Sequence, residues 1–598
     1  MRPDGTVCFR VWAPHAERVH VQLRDAEPCP LNPVQLGWHE TVLPAAPGDR
    51  YSFRLDGGPP LPDPASRHQP DGVHGPSAVV DPARFRWSAG EATWRPPIVE
   101  SGAVYELHVG TFTPEGTFAA AAGRLGHLAD LGITHVEVMP VNAFNGPHGW
   151  GYDGVAWYAV HEPYGGPEGF AAFVDACHQA GMAVILDVVH NHLGPSGNYL
   201  PEFAPYQTAR GTDWGEAINL DGPDSDPVRG FIIGNALAWL RDYHVDALRL
   251  DAVHALVDTS AVHLLAELSE AVAALSRQTG RAHGLIAESD RNDPRTVSSR
   301  EAGGLGLDAQ WSDDLHHGLH VALTGETDGY YADYTGLPEV AEAYTRGFVF
   351  DGGRYSPYRQ RTVGAPLGDL PGTRLLGCLQ NHDQVGNRAL GERLTTLVDS
   401  ERLRVAVLLL CAAPHIPMLF MGEEWGETAP FRYFSSHREP ELAAAVRAGR
   451  AEEFAAFTAF RGRIPDPQDP ATFTGSRVDW TRRDAPEGQA RGRLWGDLLR
   501  IRRSEAALAN GRRDLVTVVA CSSRHLVVTR ADPDAPTVAV LANLGDEPLA
   551  VSLPGDGPWA ALVDTAEPTY GGSGEGAVLD GRDVRLPGRS GLLCRHQA

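Results

Sequence analysis

Apolar and polar positions follow different periods in three stretches of the chain. Near the N-terminus, Val7–Trp12, Val19–Leu23 and Tyr51–Leu55 alternate or cluster β-forming residues between Pro- and Gly-containing turns. Gly57–Gly75 is rich in Pro, Gly and Asp and is predicted to be loop, and Trp94-Arg95-Pro96-Pro97 has the composition of a linker. Residues 1–95 therefore form one expected β domain. From about residue 103 the pattern becomes strand, loop, helix, repeated. Short apolar runs of the buried-strand type lie at Val104–Gly110, His135–Val141, Ala183–Val189, Ala247–Asp251, Leu285–Glu288, Ala309–Asp313, Leu375–Asn381 and Ile416–Met421. Thr117–Leu131, Gly169–Ala180, Val228–Tyr243, Thr259–Gln278 and Ser400–Ala412 carry apolar residues at helical spacing, and Gly132 and Gly181 stand where helices stop.

Eight such strands with intervening helices predict an α/β fold, a (β/α)8 TIM barrel over residues 96–509. The span exceeds a minimal barrel, so long βα loops are expected at Asn142–Gly166, Asn191–Asp226 and Ser289–Leu307. Beyond about residue 510 the helical period is lost. Val516–Val519, His525–Thr529, Val538–Ala542 and Leu549–Leu553 predict a closing antiparallel β domain over residues 510–598.

Composition narrows the function classes. A chain of 598 residues is expected to hold two to four domains. The formal net charge of -25 lacks the basic footprint of a nucleic-acid binder, but it suits a neutral ligand such as a sugar. The longest apolar runs, such as Val405–Ala413, are too short to span a bilayer, and the first residues lack an apolar core of signal-peptide length. The expectation is a cytoplasmic protein, a monomer or an oligomer, that engages neither membrane nor nucleic acid. The seven Cys are dispersed without a CxxC pair, which predicts buried reduced thiols and gives no support for a Cys-based zinc site.

The chemistry gathers where strands end. In a barrel of this kind, C-terminal strand ends point into one mouth. The third strand ends in Asp187-Val188-Val189-His190-Asn191-His192, the fourth in Arg249-Leu250-Asp251-Ala252-Val253-His254, the fifth in Glu288-Ser289-Asp290 and the seventh in Asn381-His382-Asp383. The loop after the second strand carries Gly149-Trp150-Gly151-Tyr152-Asp153. A lone carboxylate among these reads as a solvated rim charge or a structural ion pair; a set at corresponding strand ends does not. Glycosidic cleavage needs such a set: one carboxyl protonates the departing oxygen while a second attacks the anomeric carbon. Arg249 lies two residues before Asp251, so both side chains share one face of the strand, and the cation keeps Asp251 ionised. Glu288 must hold a proton, and neighbouring Asp residues would raise its pKa. His192 and His382 suit sugar hydroxyls. Tyr152 suits a pyranose face, although Tyr152 and Trp150 also fit loop core.

These strand ends resemble the four short conserved regions of the α-amylase (glycoside hydrolase 13) family. The resemblance implies a retaining mechanism with Asp251 as nucleophile, Glu288 as general acid/base and Asp383 as a third carboxylate that holds two ring hydroxyls. It places Tyr152, Asp187, His192, Arg249 and His382 at the substrate, and His254 and Trp150 are expected beside them. Retention implies carboxyls about 5–5.5 Å apart. Phe9-Arg10-Val11-Trp12-Ala13-Pro14 is similar to the β-sandwich modules that precede branching and debranching enzymes. Longer strings narrow the resemblance: Val104–Thr113, Trp311–His317, Gln380–Arg388 and Met421–Gly426 resemble the branch that acts on maltooligosyltrehalose, cutting the α-1,4 bond next to its terminal trehalose unit. Trp311, Asp313, Asp314, Glu424 and Trp425, from the loops after the sixth and eighth strands, are the expected trehalose selectors. A glycogen or α-glucan branching enzyme, or another α-1,4-glucan hydrolase, is the alternative. The seventh strand of a branching enzyme usually ends in a Ser-His-Asp-Glu type string, whereas this chain has Asn381-His382-Asp383-Gln384. An inactive glucan-binding protein is the alternative of another class, and the presence of all three carboxylates speaks against it. His190 departs from the Tyr frequent before Asn-His. The calcium pattern of α-amylases is not evident, so no metal and no cofactor is expected.

Overall fold

A computed structural model of the chain describes residue 2 and residues 4–212, 214–455 and 464–597. Its centre is a closed barrel of eight parallel strands, each beside the next in chain order, with the last paired to the first. The strands are β1 (Val104–Leu107), β2 (His135–Val138), β3 (Ala183–Val188), β4 (Ala247–Leu250), β5 (Gly284–Ala287), β6 (Ala309–Trp311), β7 (Leu375–Cys378) and β8 (Ile416–Phe420). Every residue in them except Gly284 is buried, as expected of strands covered on both faces, so apolar residues dominate them. Register sets Asp187 of β3 beside Arg249 of β4, and Glu106 of β1 beside Glu137 of β2.

The strands are shorter than the apolar runs. The run Val104–Gly110 leaves the sheet at Leu107 and continues as a helical turn, Val109–Phe112. The helix expected over Thr117–Leu131 is split into Phe118–Ala122 and Leu125–Leu131, with Gly123, a poor helix former, at the break. Gly132 then stops the second piece in the left-handed conformation, at φ 93°. Further helices cover the barrel: α1 (Gly166–Gln179), α2 (Ser225–Asp242), α3 (Leu264–Thr279), α4 (Asp313–Thr324), α5 (Leu337–Arg346), α6 (Ser400–Ala412) and α7 (Pro486–Ser504). Helix α3 begins at Leu264 rather than near Thr259 because Asp258 accepts from the Leu264 N–H while pairing with Arg229, which pins the preceding turn. Two of the long loops fold into hairpins, Asn142–Ala143 with Ala156–Val160 and Gln207–Thr212 with Gly215–Ile218.

The N-terminal domain is a β-sandwich. A sheet of Thr6–Trp12, Trp38–Pro44 and Asn32–Pro33 packs on a second built from Cys29–Pro30, Val19–Leu23, Arg50–Leu55 and Ser77–Ala78, with Phe9, Val11, Val21 and Phe53 buried between them. The C-terminal region is a five-stranded and a three-stranded antiparallel sheet. Cys177, Cys378, Cys411 and Cys594 are buried, whereas Cys8 and Cys521 are exposed and Cys29 partly so, which corrects the expectation of uniformly buried thiols. Among the described residues no helix is long and apolar enough to cross a membrane.

Candidate active site

Strand register assembles the site around one cation. The Arg249 guanidinium is fully buried, and its Nη1 donates to Asp187 Oδ1 at 2.9 Å, to Asp187 Oδ2 at 2.8 Å and to Asp251 Oδ1 at 2.7 Å. Its Nη2 lies 3.6 Å from Glu288 Oε2, and its carbon sits 4.3 Å from the centroid of the Trp311 ring. Asp251 directly follows β4, so it shares the Arg249 side of the strand while opening toward the cleft. Asp187 is buried, and burial raises its pKa to about 6 against the pull of Arg249. It also accepts from the Tyr152 hydroxyl at 2.5 Å. Asp187 and Arg249 thus lie beneath the cleft floor, where they orient Tyr152 and Asp251 without lining the cavity.

Glu288 directly follows β5. Its Oε2 accepts from the backbone N–H of Ala252 at 2.5 Å, a contact made possible by the left-handed turn at Ala252, φ 39°. Burial raises the Glu288 pKa to about 8; the Arg249 cation opposes this, and the Asp251, Asp383 and Asp313 charges add to it. Asp383 sits in the helical turn His382–Gly386 after β7, half open to solvent, with the Asn387 amide donating to it at 3.3 Å. The His382 ring stacks on Tyr152, with centroids 5.0 Å apart.

A cavity of about 990 Å³ opens over these groups. Trp150, Tyr152, His192, Asp251, His254, Glu288, Trp311, Asp313, His382 and Asp383 line it, so most of the residues singled out in the sequence come together. Trp150 belongs largely to packing as well: it is buried against Phe431, ring centroids 5.1 Å apart, and its indole N–H donates to Arg432 O. His192 is set by its ring Nε2, 2.8 Å from Tyr152 O. Burial lowers the His254 pKa, with the nearby Asp290 charge opposing.

Glu424 and Trp425 are a correction. Neither reaches the cavity. Gly422, in the left-handed conformation at φ 87°, folds Glu423–Trp425 back over the barrel edge. Glu424 is fully buried and takes the Tyr105 hydroxyl at 3.0 Å and His127 Nε2 at 2.9 Å. Trp425 packs on Trp480 and His127 in the seam beside Leu125–Leu131. Asp314 likewise turns inward, accepting from Tyr334, Asn292 and the Val349 N–H.

Other cavity residues escaped the sequence reading. Trp214, at the tip of the hairpin in the long loop after β3, is 44% exposed and lies parallel to the His192 ring, centroids 6.2 Å apart. Asp290, His317, Tyr330, Tyr358 and Arg359 also line the cavity. The signal for Trp214 was an indole in a polar loop between two registers of alternating residues. Glu106 and Glu137 carried a clearer one, a charge inside each of two otherwise apolar strands. Among the described residues, no group of three or more His, Cys, Asp or Glu is disposed to hold a metal ion.

Comparison with known proteins agrees with this architecture. Residues 79–223 match the model of the alpha amylase catalytic domain, and residues 1–66 match carbohydrate-binding module 48, the isoamylase N-terminal domain. A crystal structure of a Salmonella typhimurium protein provisionally described as an alpha amylase superposes with a TM-score of 0.88 at 38% identity, covering 99% of this chain and 98% of that one. Pullulanase from Bacillus acidopullulyticus shares the fold, with a TM-score of 0.73 at 16% identity, this chain being covered whole and 74% of the other. Malto-oligosyltrehalose trehalohydrolase of Mycobacterium tuberculosis is 48% identical over 92% of this chain and 94% of its own length. The enzyme of that name from Arthrobacter ramosus is also 48% identical, over 93% of this chain and 99% of its own. With barrel, site and relatives in agreement over nearly its whole length, the chain belongs to the malto-oligosyltrehalose trehalohydrolase family of α-amylase-type glycoside hydrolases.

Proposed function

We propose that this chain hydrolyses the α-1,4 bond next to the terminal trehalose unit of maltooligosyltrehalose and releases free trehalose, with retention at the anomeric carbon. Asp251 attacks that carbon while Glu288 gives its proton to the departing glycosidic oxygen. The resulting glycosyl ester is then cleaved by a water from which Glu288 takes a proton. Asp383 binds ring hydroxyls, and Tyr152 and His192 shape the sugar pocket.

The observation that carries this reading is the division of labour around Arg249. The guanidinium donates to Asp251 at 2.7 Å and so places a cation beside the attacking carboxyl. Glu288 lies farther from it, at 3.6 Å, and is held protonated to about pH 8. A carboxylate beside a carboxylic acid is what double displacement requires. The substrate assignment is supported by the relatives, whose name specifies it.

Product analysis on maltooligosyltrehalose and on the matching maltooligosaccharide tests the proposal. Free trehalose from the first, with slow cleavage of the second, is the expected outcome. Proton NMR of the first turnovers should report the α-anomer at the new reducing end. An initial β-anomer would make the reaction inverting and remove the nucleophilic role of Asp251, and elongated or branched products would make the chain a transferase.

A further inference from the structure

His382 sits between two carboxylates. Its ring Nδ1 lies 2.5 Å from Oε1 of Glu106 in β1, and its backbone N–H donates to Oε2 of the same carboxylate at 2.9 Å. On the far side, Nε2 is 3.4 Å from Asp383 Oδ2. An ionised carboxylate accepts hydrogen bonds and donates none. Held this way, the ring faces a carboxylate from each of its two nitrogens, an arrangement that favours a proton on both. Glu106 and His382 are each 1% exposed, so water cannot replace either partner.

The rest of the enclosure does not supply a competing acceptor for Nδ1. Arg249 offers donors only, and its Nη1 is taken by Asp187 and Asp251. Glu137 of β2 has neither carboxyl oxygen hydrogen-bonded, and burial, together with the Glu106 charge, raises its pKa, which favours the neutral acid. His108 follows β1 with its own nitrogens satisfied by Thr111, Gly149 O and Tyr164. Rings of Tyr152, Trp150 and Trp311 close the remaining sides. Glu106 itself is a charge in the middle of a buried apolar strand, a position that is costly unless paired.

We propose that Glu106 is a positioning residue for the hydrolysis: from behind the barrel floor it pins the His382 ring and keeps Nε2–H facing the cleft, where that proton steadies Asp383 and a sugar hydroxyl. Glu106 does not touch substrate; it acts through His382. The proposal rests on reading this cleft as the hydrolytic site. Burial alone would drive His382 neutral, but the Asp383 and Glu106 charges hold it protonated to about pH 9.

The test follows the imidazole directly. Protein labelled with 13C at histidine Cε1 is titrated by 1H–13C spectroscopy, and the His382 resonance is assigned by its loss in His382→Gln. The parent resonance is expected to keep its protonated shift beyond about pH 8, and Glu106→Gln to lower the midpoint by about one unit or more. Glu106→Asp, which keeps the charge, should recover most of that shift. In step, kcat/KM of Glu106→Gln at neutral pH should fall roughly tenfold or more, with its alkaline limb moved to lower pH. A parent His382 that titrates below about pH 7, or a midpoint unmoved in Glu106→Gln, overturns the proposal. The parent titration decides even where Glu106→Gln does not fold. It uses no substrate, so its failure is distinct from failure of the reaction assigned to the cleft.

Discussion

Glu288 is a carboxyl group that its surroundings keep protonated, and that property couples activity to stability. With a folded-state pKa of about 8, its proton is available to a leaving group at neutral pH and is lost above. The alkaline limb of kcat/KM on maltooligosyltrehalose is therefore expected near pH 8; a profile flat to pH 10 would remove Glu288 as the acid. Glu288→Gln should abolish turnover of natural glucans but slow glycosylation by an activated substrate, such as a glucosyl fluoride, far less, because a good leaving group needs little protonation. The same proton affects folding. In the unfolded chain Glu288 ionises near its ordinary 4.5, so between 4.5 and about 8 the folded state holds an extra proton and stability falls as pH rises. Glu288→Gln is expected to melt above the parent at pH 8, with the difference shrinking toward pH 4. Thermal melts across this range check it, and a difference independent of pH would mean that the Glu288 proton is not the cause.

At the scale of elements, the turns after β6 and β8 do different work. Asp313 starts α4 at the cavity wall, and burial with the charges of Asp290 and Asp314 raises its pKa to about 7. A group placed to hydrogen-bond a particular hydroxyl penalises a substrate that leaves it unpaired. Asp313→Ala should therefore lower the ratio of kcat/KM on maltooligosyltrehalose to that on plain maltooligosaccharide. Trp425→Ala should leave this ratio unchanged while lowering the melting temperature, because emptying a buried indole site costs about 3–5 kcal/mol. A ratio that moves with Trp425 but not with Asp313 would reverse these assignments. The contrast marks what could be read from the chain. Asp251 and Glu288 were legible because each directly follows a strand, and register alone carries it to the mouth. Trp425 lies a few residues beyond β8, where a left-handed glycine turns it away, and no periodicity reports that turn. Trp214, Tyr358 and Arg359 lie far from any barrel strand end, and loop packing decides where they go. Helix α4 went unread because His316, His317 and His320, buried in it, break the apolar period. The barrel emerged from its buried runs; the cleft walls needed three dimensions.

At the scale of the molecule, the segment joining sandwich to barrel is clamped to the barrel face opposite the cleft. Glu91 is 3% exposed and receives His178 Nδ1 at 2.8 Å, His244 Nδ1 at 2.6 Å and Arg281 Nη1 at 2.6 Å. Asp246, just before β4, takes the other nitrogen of His178 at 2.9 Å and the indole N–H of Trp94 at 2.9 Å. Trp87 and Trp94 stack on His244 and His178, with centroids 3.9 and 4.4 Å apart. Residues on this face of a barrel serve stability rather than chemistry. Burial opposes the Glu91 charge, but hydrogen bonds from His178, His244 and Arg281 hold its pKa well below the carboxylate range; that stabilisation is present above the ordinary 4.5 and fades as pH falls. Burial opposes the His178 charge too, but Asp246 and Glu91 raise its pKa to about 9, so its contribution is full below the ordinary 6.5 and is lost as pH rises through 9. The clamp is therefore strongest between about pH 4.5 and 6.5. Glu91→Gln breaks a buried charge cluster and should cost about 3–5 kcal/mol at pH 6. At pH 10, where the parent has lost the His178 charge, the deficit should shrink. Turnover well below the melting temperature should be unchanged at either pH, since the cleft opens on the opposite face. Calorimetry of parent and variant at the two pH values is the measurement. A deficit equal at pH 6 and pH 10 would assign the hold on the linker to the stacked Trp87 and Trp94 rather than to the ionic cluster, because ring stacking on the barrel does not require His178 to carry a charge.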